Sequence, residues 1–269
     1  MSTAPVGVIT GSGTHALPGF EGPRPAEVDT PFGPAMLTAG RFAGRDVVHA
    51  SRHGEGHARL SSHVAFRANA WALARSGACA VVGCTACGAV DPAVPLGSLV
   101  VFDDLHFPVN RLPDGELCTV FSRPGDPARG HWIFERPFSD AVREALVAAG
   151  PATGVPLRDG GTYGHVDGPR FNSRSEIAQL AAAGVTAVSQ TGGPEAVLFG
   201  ELEVPFALVG FATDHANGVR PGEPTPVEEL VRLMGESTAA FAALLGAAIP
   251  RLAAGDARPA GTVYRFEDR

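Results

Sequence analysis

The chain has 269 residues, 45% of them hydrophobic and 18% charged, which suits one large α/β domain with a substantial core. A net charge of −7 leaves no basic surplus to neutralise phosphates, which argues against nucleic acid as a general partner. All 21 basic residues are arginine, so a P-loop lysine and a Schiff-base mechanism are both excluded.

No apolar run reads as long enough to cross a bilayer, and the N-terminus lacks a basic-then-apolar signal pattern. The expectation is a soluble, cytoplasmic protein with no membrane partner. Cys79, Cys84, Cys87 and Cys118 are too few for a disulfide framework. Cys84-Thr-Ala-Cys87 matches C-x-x-C without a second pair, so it reads as packed free thiols beside a turn ahead of a zinc or redox site.

In chain order, Val6–Thr10 is a short apolar strand ending at Gly11-Ser12-Gly13, a turn that can offer N–H groups and a hydroxyl to an anion. The full G-x-G-x-x-G spacing is absent, which argues against a dinucleotide. Residues 15–35 are rich in Pro and Gly and read as loop. Met36–Phe42 and Asp46–Ser51 form a hairpin that empties into Arg52-His53-Gly54-Glu55-Gly56-His57. A guanidinium at a strand end is well placed to recognise an anion.

A helical stripe over His63–Ser76 carries Val64, Ala68, Ala72 and a core Trp71, with Gly77 as its stop. Ala78–Cys84 is a buried strand leading into a turn at Thr85–Ala89, and Leu99–Asp103 is the next strand. Residues 106–130 read as a long loop. Ser139 is placed to cap a helix ended by Gly150. Ser173–Ala183 is helical with Ile177, Leu180 and Ala181 inward, and Phe206–Ala212 is a strand. Thr225-Pro226-Val227-Glu228 predicts a capped start for the long last helix, whose stripe is Val227, Leu230, Met234, Phe241 and Leu245. Residues beyond about 254 read as a tail, packed on a neighbour. The alternation gives an α/β fold: a single domain with a mixed, largely parallel central sheet flanked by helices, its core spanning 6–250.

Three strand-to-helix junctions carry polar residues: GTYGHVDGPRFNSRSE (161–176), SQTGGPEAV (189–197) and GFATDHANG (210–218). Such junctions are where α/β proteins bind ligands, and three together suggest one pocket. Taken singly, Ser12, Thr85 or Thr191 reads as a turn hydroxyl and Asp214 as a turn or cap residue.

Together with TPFG (30–33), SRHGEGH (51–57), FRANAWAL (66–73), CTACGAV (84–90) and ATDH (212–215), these motifs resemble the trimeric purine nucleoside phosphorylases, in that family's order. The likeness is greatest to the methylthioadenosine and methylthioinosine phosphorylase branches. It implies reversible phosphorolysis, a phosphorylase-like fold, a homotrimer, and no cofactor beyond inorganic phosphate as co-substrate. It places a phosphate cradle at Ser12, Arg52, His53, Thr85, Ala86 and Thr191. The base falls to Phe171, Asn172, Asp214 and Ala216, with Asp214 as the acid near purine N7. The sugar and 5′ pocket fall to Gln190, His57 and Val227, with His131 lent by the neighbouring subunit.

The resemblance has departures. Ala216 stands where the adenine branch carries a second acid, Asn172 suits either base, and Gln190 replaces a methionine beneath the sugar. Asp214 tilts the reading to 5′-methylthioadenosine. A 6-oxopurine phosphorylase acting on methylthioinosine, inosine or guanosine is the alternative, followed by an enzyme for another 5′-modified nucleoside and a nucleoside-binding protein without turnover. No G-x-S-x-G elbow supports a serine hydrolase, and no H-x-E with P-C-x-x-C supports a zinc deaminase.

Overall fold

The strand β1 (Val6–Thr10) is buried along its whole length, as an apolar run covered on both faces must be. The computed structural model describes residues 4–12, 17–252 and 255–266. Gly13, the last residue of the first turn motif, lies outside them. On one side β1 pairs in parallel with β4 (Arg45–Ser51), on the other with β5 (Ala80–Ala89). β4 returns from β3 (Ala35–Phe42) through Ala43 and Gly44, both at positive φ (48° and 76°), the backbone a tight hairpin turn requires.

The segment expected as loop over 15–35 contains a strand, β2 (Glu21–Val28), paired antiparallel with β3. It is the exposed outer edge of the sheet, the one position where Pro23 and Pro25 can sit without costing interior ladder bonds. The turn expected at Thr85–Ala89 is also absent, because β5 runs through it. Two neighbours hold it extended. β12 (Phe206–His215) pairs in parallel along Val81–Ala89, and β11 (Val185–Ser189) pairs antiparallel at Gly88 and Ala89.

From β11 the sheet continues in parallel to β10 (Thr162–His165) and β7 (Asp104–His106). β12 carries β6 (Leu99–Val101) antiparallel, and β6 carries β9 (Leu157–Asp159). This is the expected mixed, largely parallel sheet. One face packs α1 (Phe66–Arg75) and α4 (Gly192–Glu201); the other packs α2 (Asp140–Ala149) and α5 (Val227–Ala248). α3 (Arg174–Ala182) closes a small third cluster through Ile177. Cys84 and Cys87, three residues apart on β5, fall into opposite cores, so the two thiols never meet. They are packed free thiols, but in a strand rather than beside a turn. Burial pushes the Cys84 thiol up to about 12 and that of Cys87 higher still.

Several local expectations change. Ser139 is the N-cap of α2, but its hydroxyl donates to the Arg258 carbonyl (2.7 Å) instead of capping. Thr225 forms no capping box: Pro226 is the N-cap of α5, and the Thr225 hydroxyl accepts from His215 N (3.1 Å). The full capping box belongs to Ser173 and Glu176 at the start of α3. Ala181 is exposed, and Trp71 is half-buried beneath the Arg75 guanidinium (5.4 Å). The helical segment Val227–Arg251 meets the length and composition of a membrane span, contrary to expectation. Its Leu233, Phe241, Leu244 and Leu245 are nonetheless packed into the core shared with α2. The tail folds onto its own chain: β13 (Thr262–Arg265) pairs antiparallel with β8 (Gly130–Ile133). Residues 253–254 and 267–269 of that tail lie outside the described residues.

Candidate active site

The ends of β1, β5, β11 and β12 converge on a cavity of about 250 Å³, a size suited to one small ligand. At one side are hydroxyls and backbone at strand ends. Ser12 follows β1. Thr85 and Ala86 lie on β5, where the Thr85 hydroxyl shares a hydrogen bond with Ser189 Oγ of β11 (2.8 Å). Thr191 is the N-cap of α4, so the positive end of that helix dipole faces the cavity. The backbone N–H groups of Thr191 and Gly192 donate to the buried Tyr163 hydroxyl (3.3 and 2.9 Å), which fixes this helix start.

His53 and His57 line the same side with their rings stacked, centroids 4.1 Å apart. His53 Nδ1 lies 2.8 Å from the Arg59 carbonyl oxygen, so Nδ1 carries the proton and Nε2 is left as an acceptor. Burial, with the neighbouring His57 and Arg52, brings the His53 pKa down to about 4.

Across the cavity lies Asp214, near the end of β12. Gly88 makes room for it: a Cβ there would lie 3.1 Å from Asp214 Oδ2. Thr213 Oγ1 donates to Asp214 Oδ1 (2.9 Å). Burial raises the carboxyl pKa, and the Thr213 hydrogen bond and His215 only partly offset it. Asn172, Ala216 and the exposed Phe171 complete this wall.

Comparison with known proteins bears on this arrangement. A phosphorylase superfamily model matches residues 5–250. An S-methyl-5′-thioadenosine phosphorylase of Mycobacterium tuberculosis is 37% identical, over 92% of this chain and 89% of its own. A 6-oxopurine nucleoside phosphorylase of Pyrococcus furiosus is 32% identical, over 91% of this chain and 92% of its own. Among solved structures, a methylthioadenosine phosphorylase from Schistosoma mansoni in complex with adenine superposes with a TM-score of 0.81. It is 25% identical and covers 92% of this chain and 91% of its own. The chain belongs to the phosphorylase superfamily.

Within this phosphorylase fold, three residues singled out from the sequence stand apart from the cavity. Arg52 is fully buried one layer behind the wall, in a two-point ion pair with Glu195 (2.5 and 2.7 Å). Val227 is 69% exposed and does not line the cavity; Leu230 and Met234, further along α5, do. His131 is exposed on β8 against the Phe266 ring (5.4 Å), away from its own chain's cavity. Gln190 lines the cavity, but its amide is committed elsewhere: Oε1 accepts from Ser61 Oγ (2.7 Å) and Nε2 donates to the Arg170 carbonyl (3.2 Å).

Sequence reasoning missed Glu195, Ser189, Ser61 and the Leu230–Met234 wall. Ser189 had a signal, since it opens one of the three junctions. Glu195 had only its place in the first turn of a helix, where an acid ordinarily serves the dipole.

Proposed function

We propose that this chain catalyses the phosphorolysis of purine nucleosides, releasing the base and a pentose 1-phosphate, with 5′-methylthioadenosine as its substrate. The carrying observation is the pairing across one cavity of a buried carboxyl with a raised pKa and a side lined by hydroxyls at a helix start. Breaking the N-glycosidic bond builds positive charge on the sugar and negative charge on the purine. A phosphate dianion held by Ser12, Thr85 and Thr191, its one O–H donating to His53 Nε2, stabilises the first and attacks C1′; the C–N electron pair leaves on the base. Asp214, whose neutral form burial favours, supplies a proton or hydrogen bond at N7.

The substrate assignment rests on two features. While its O–H faces N7, the other Asp214 oxygen accepts from an exocyclic 6-amino group, which a 6-oxo base lacks. Leu230 and Met234 offer an apolar wall at the start of α5, which favours a methylthio group over a 5′-hydroxyl that would go unsatisfied. The second reading, a 6-oxopurine, is favoured by Asn172, whose side-chain amide faces the cavity and makes no hydrogen bond among the described residues. His131, remote from its own cavity, is assigned to a neighbour's site in a homotrimer.

Base release from methylthioadenosine, methylthioinosine, adenosine and inosine, with and without phosphate, tests the reading. Adenine released from methylthioadenosine only with phosphate is the expected result. Hypoxanthine release alone would transfer the assignment to the second reading, and no phosphate-dependent release from any of the four would end both.

A further inference from the structure

Arg52 and Glu195 form, among the described residues, the one ion pair with both side chains buried. A buried ion pair is weak evidence for stability, because desolvating two charges consumes most of what their attraction returns. Its geometry points elsewhere. Arg52 Nε and Nη2 donate to the two Glu195 oxygens, and Nη1 donates to the Cys84 carbonyl (2.5 Å). Its own backbone N–H is bound to Thr10 O (3.0 Å). The guanidinium is therefore fixed by β5 and α4, and the backbone that carries it by β1. A guanidinium has five N–H donors, so one on Nη1 and one on Nη2 remain unspent.

Nη1 lies behind Gly11. A Cβ built on Gly11, which lines the cavity, would fall 2.9 Å from Nη1 and 3.6 Å from His53 Nε2. Both nitrogens thus converge on the space that a side chain at position 11 would fill. Burial works to lower the Arg52 pKa, but Glu195, with smaller contributions from Cys84 and Tyr163, leaves it above its ordinary value.

We propose that Glu195 is the positioning residue of the phosphate half of the cavity. It clamps Arg52 by one edge so that Nη1 stays beside Gly11 and His53 Nε2, and through that placement it governs affinity for a dianionic oxyanion. This rests on the phosphorolysis reading. Glu195 touches neither phosphate nor nucleoside.

The test uses the full chain, with inorganic phosphate as the probe. Phosphate should raise the melting temperature of the unaltered protein, as any ligand of the folded state does. In Glu195→Gln that rise should vanish and the phosphate KM increase about 10- to 100-fold, the scale of a hydrogen bond to a charged group. The nucleoside KM should stay within about twofold, since a loss confined to one substrate is a loss of that substrate's contacts. Glu195→Asp, which keeps the charge, should recover part of the phosphate affinity. Gly11→Ala leaves the ion pair intact, fills the shared space and should give the same split; with Glu195→Asp it carries the test should the Gln variant not fold. Phosphate stabilisation retained in full in Glu195→Gln or Gly11→Ala, no better phosphate affinity in Glu195→Asp than in Glu195→Gln, or both KM values rising together, would overturn the positioning role. An unaltered protein that phosphate neither stabilises nor drives to release base would overturn the phosphorolysis reading beneath it.

Discussion

In the proposed reaction Asp214 is the residue on which base chemistry turns, and its environment is built by small neighbours. Gly88 leaves the space and Thr213 the hydrogen bond, while burial holds the carboxyl toward its neutral form. Asp214→Asn keeps the shape and removes the proton. Base release from methylthioadenosine should fall about 10²- to 10⁴-fold, the usual worth of a placed general acid, with gain on methylthioinosine. Unchanged adenine release would remove Asp214 from the mechanism. A second residue-scale consequence concerns His165. Its Nδ1 is buried without a partner, its ring meets Phe107 edge-on (4.4 Å), and burial lowers its pKa from 6.5 to about 3. The unfolded chain therefore binds the proton more readily, so this residue's share of stability is whole above pH 6.5 and is lost as pH falls from there toward 3. About 2 kcal/mol should be gone by pH 5. His165→Phe should flatten the decline in melting temperature between pH 7 and 5; an equally steep decline would place the titration elsewhere. Ser12, Thr85, Thr191 and Asp214 were legible only through the ordered set of motifs, because each taken singly reads as a turn or cap residue. Arg52 was legible from its place at a strand end, but its partner lies 143 residues away, and no local pattern encodes that meeting.

At the scale of elements, the sequence shows periodic segments well and their limits poorly. The core strands and the helices α1, α2, α3 and α5 follow from apolar runs and stripes. β2 was hidden because its prolines signal loop unless the segment is known to be an edge. β5 was cut short because Gly88 and the small residues around it resemble a turn until β11 and β12 are seen to pair there. The loop from β10 to α3 shows how such segments are held. Gln190 bridges Ser61 and the Arg170 carbonyl and packs against Gly168, so the departure from methionine is spent on the loop rather than on a sugar hydroxyl. A Cβ at 168 would fall 1.9 Å from Gln190 Oε1 and 2.5 Å from Ser61 Oγ. Gly168→Ala should therefore cost about 1–3 kcal/mol of stability, the range for overpacking. Because this loop carries Phe171 and Asn172, nucleoside KM should rise while phosphate KM holds. Equal melting temperatures and unaltered kinetics would show that the bridge does not set the loop.

For the whole molecule, two opposed helical layers make the sheet rigid, and the strand ends place both halves of the cavity on it. What one chain leaves outside is His131. It stands on the β8–β13 ribbon, beside Tyr264 in register and Phe266 in ring contact, with the exposed Ile133 two residues on along the strand. A histidine so placed can serve a cavity only if that cavity belongs to another copy of the chain. In a closed ring of identical subunits each site would draw Asp214 from one chain and His131 from the next. Subunits with Asp214→Asn and subunits with His131→Ala should each release little base alone. Unfolded together at equal amounts and refolded, they should regain activity in roughly a quarter of sites, those that combine the intact residue of each parent. Co-refolding that recovers nothing, while the unaltered chain passes through the same procedure with its activity intact, would confine the site to a single chain and leave His131 a surface residue.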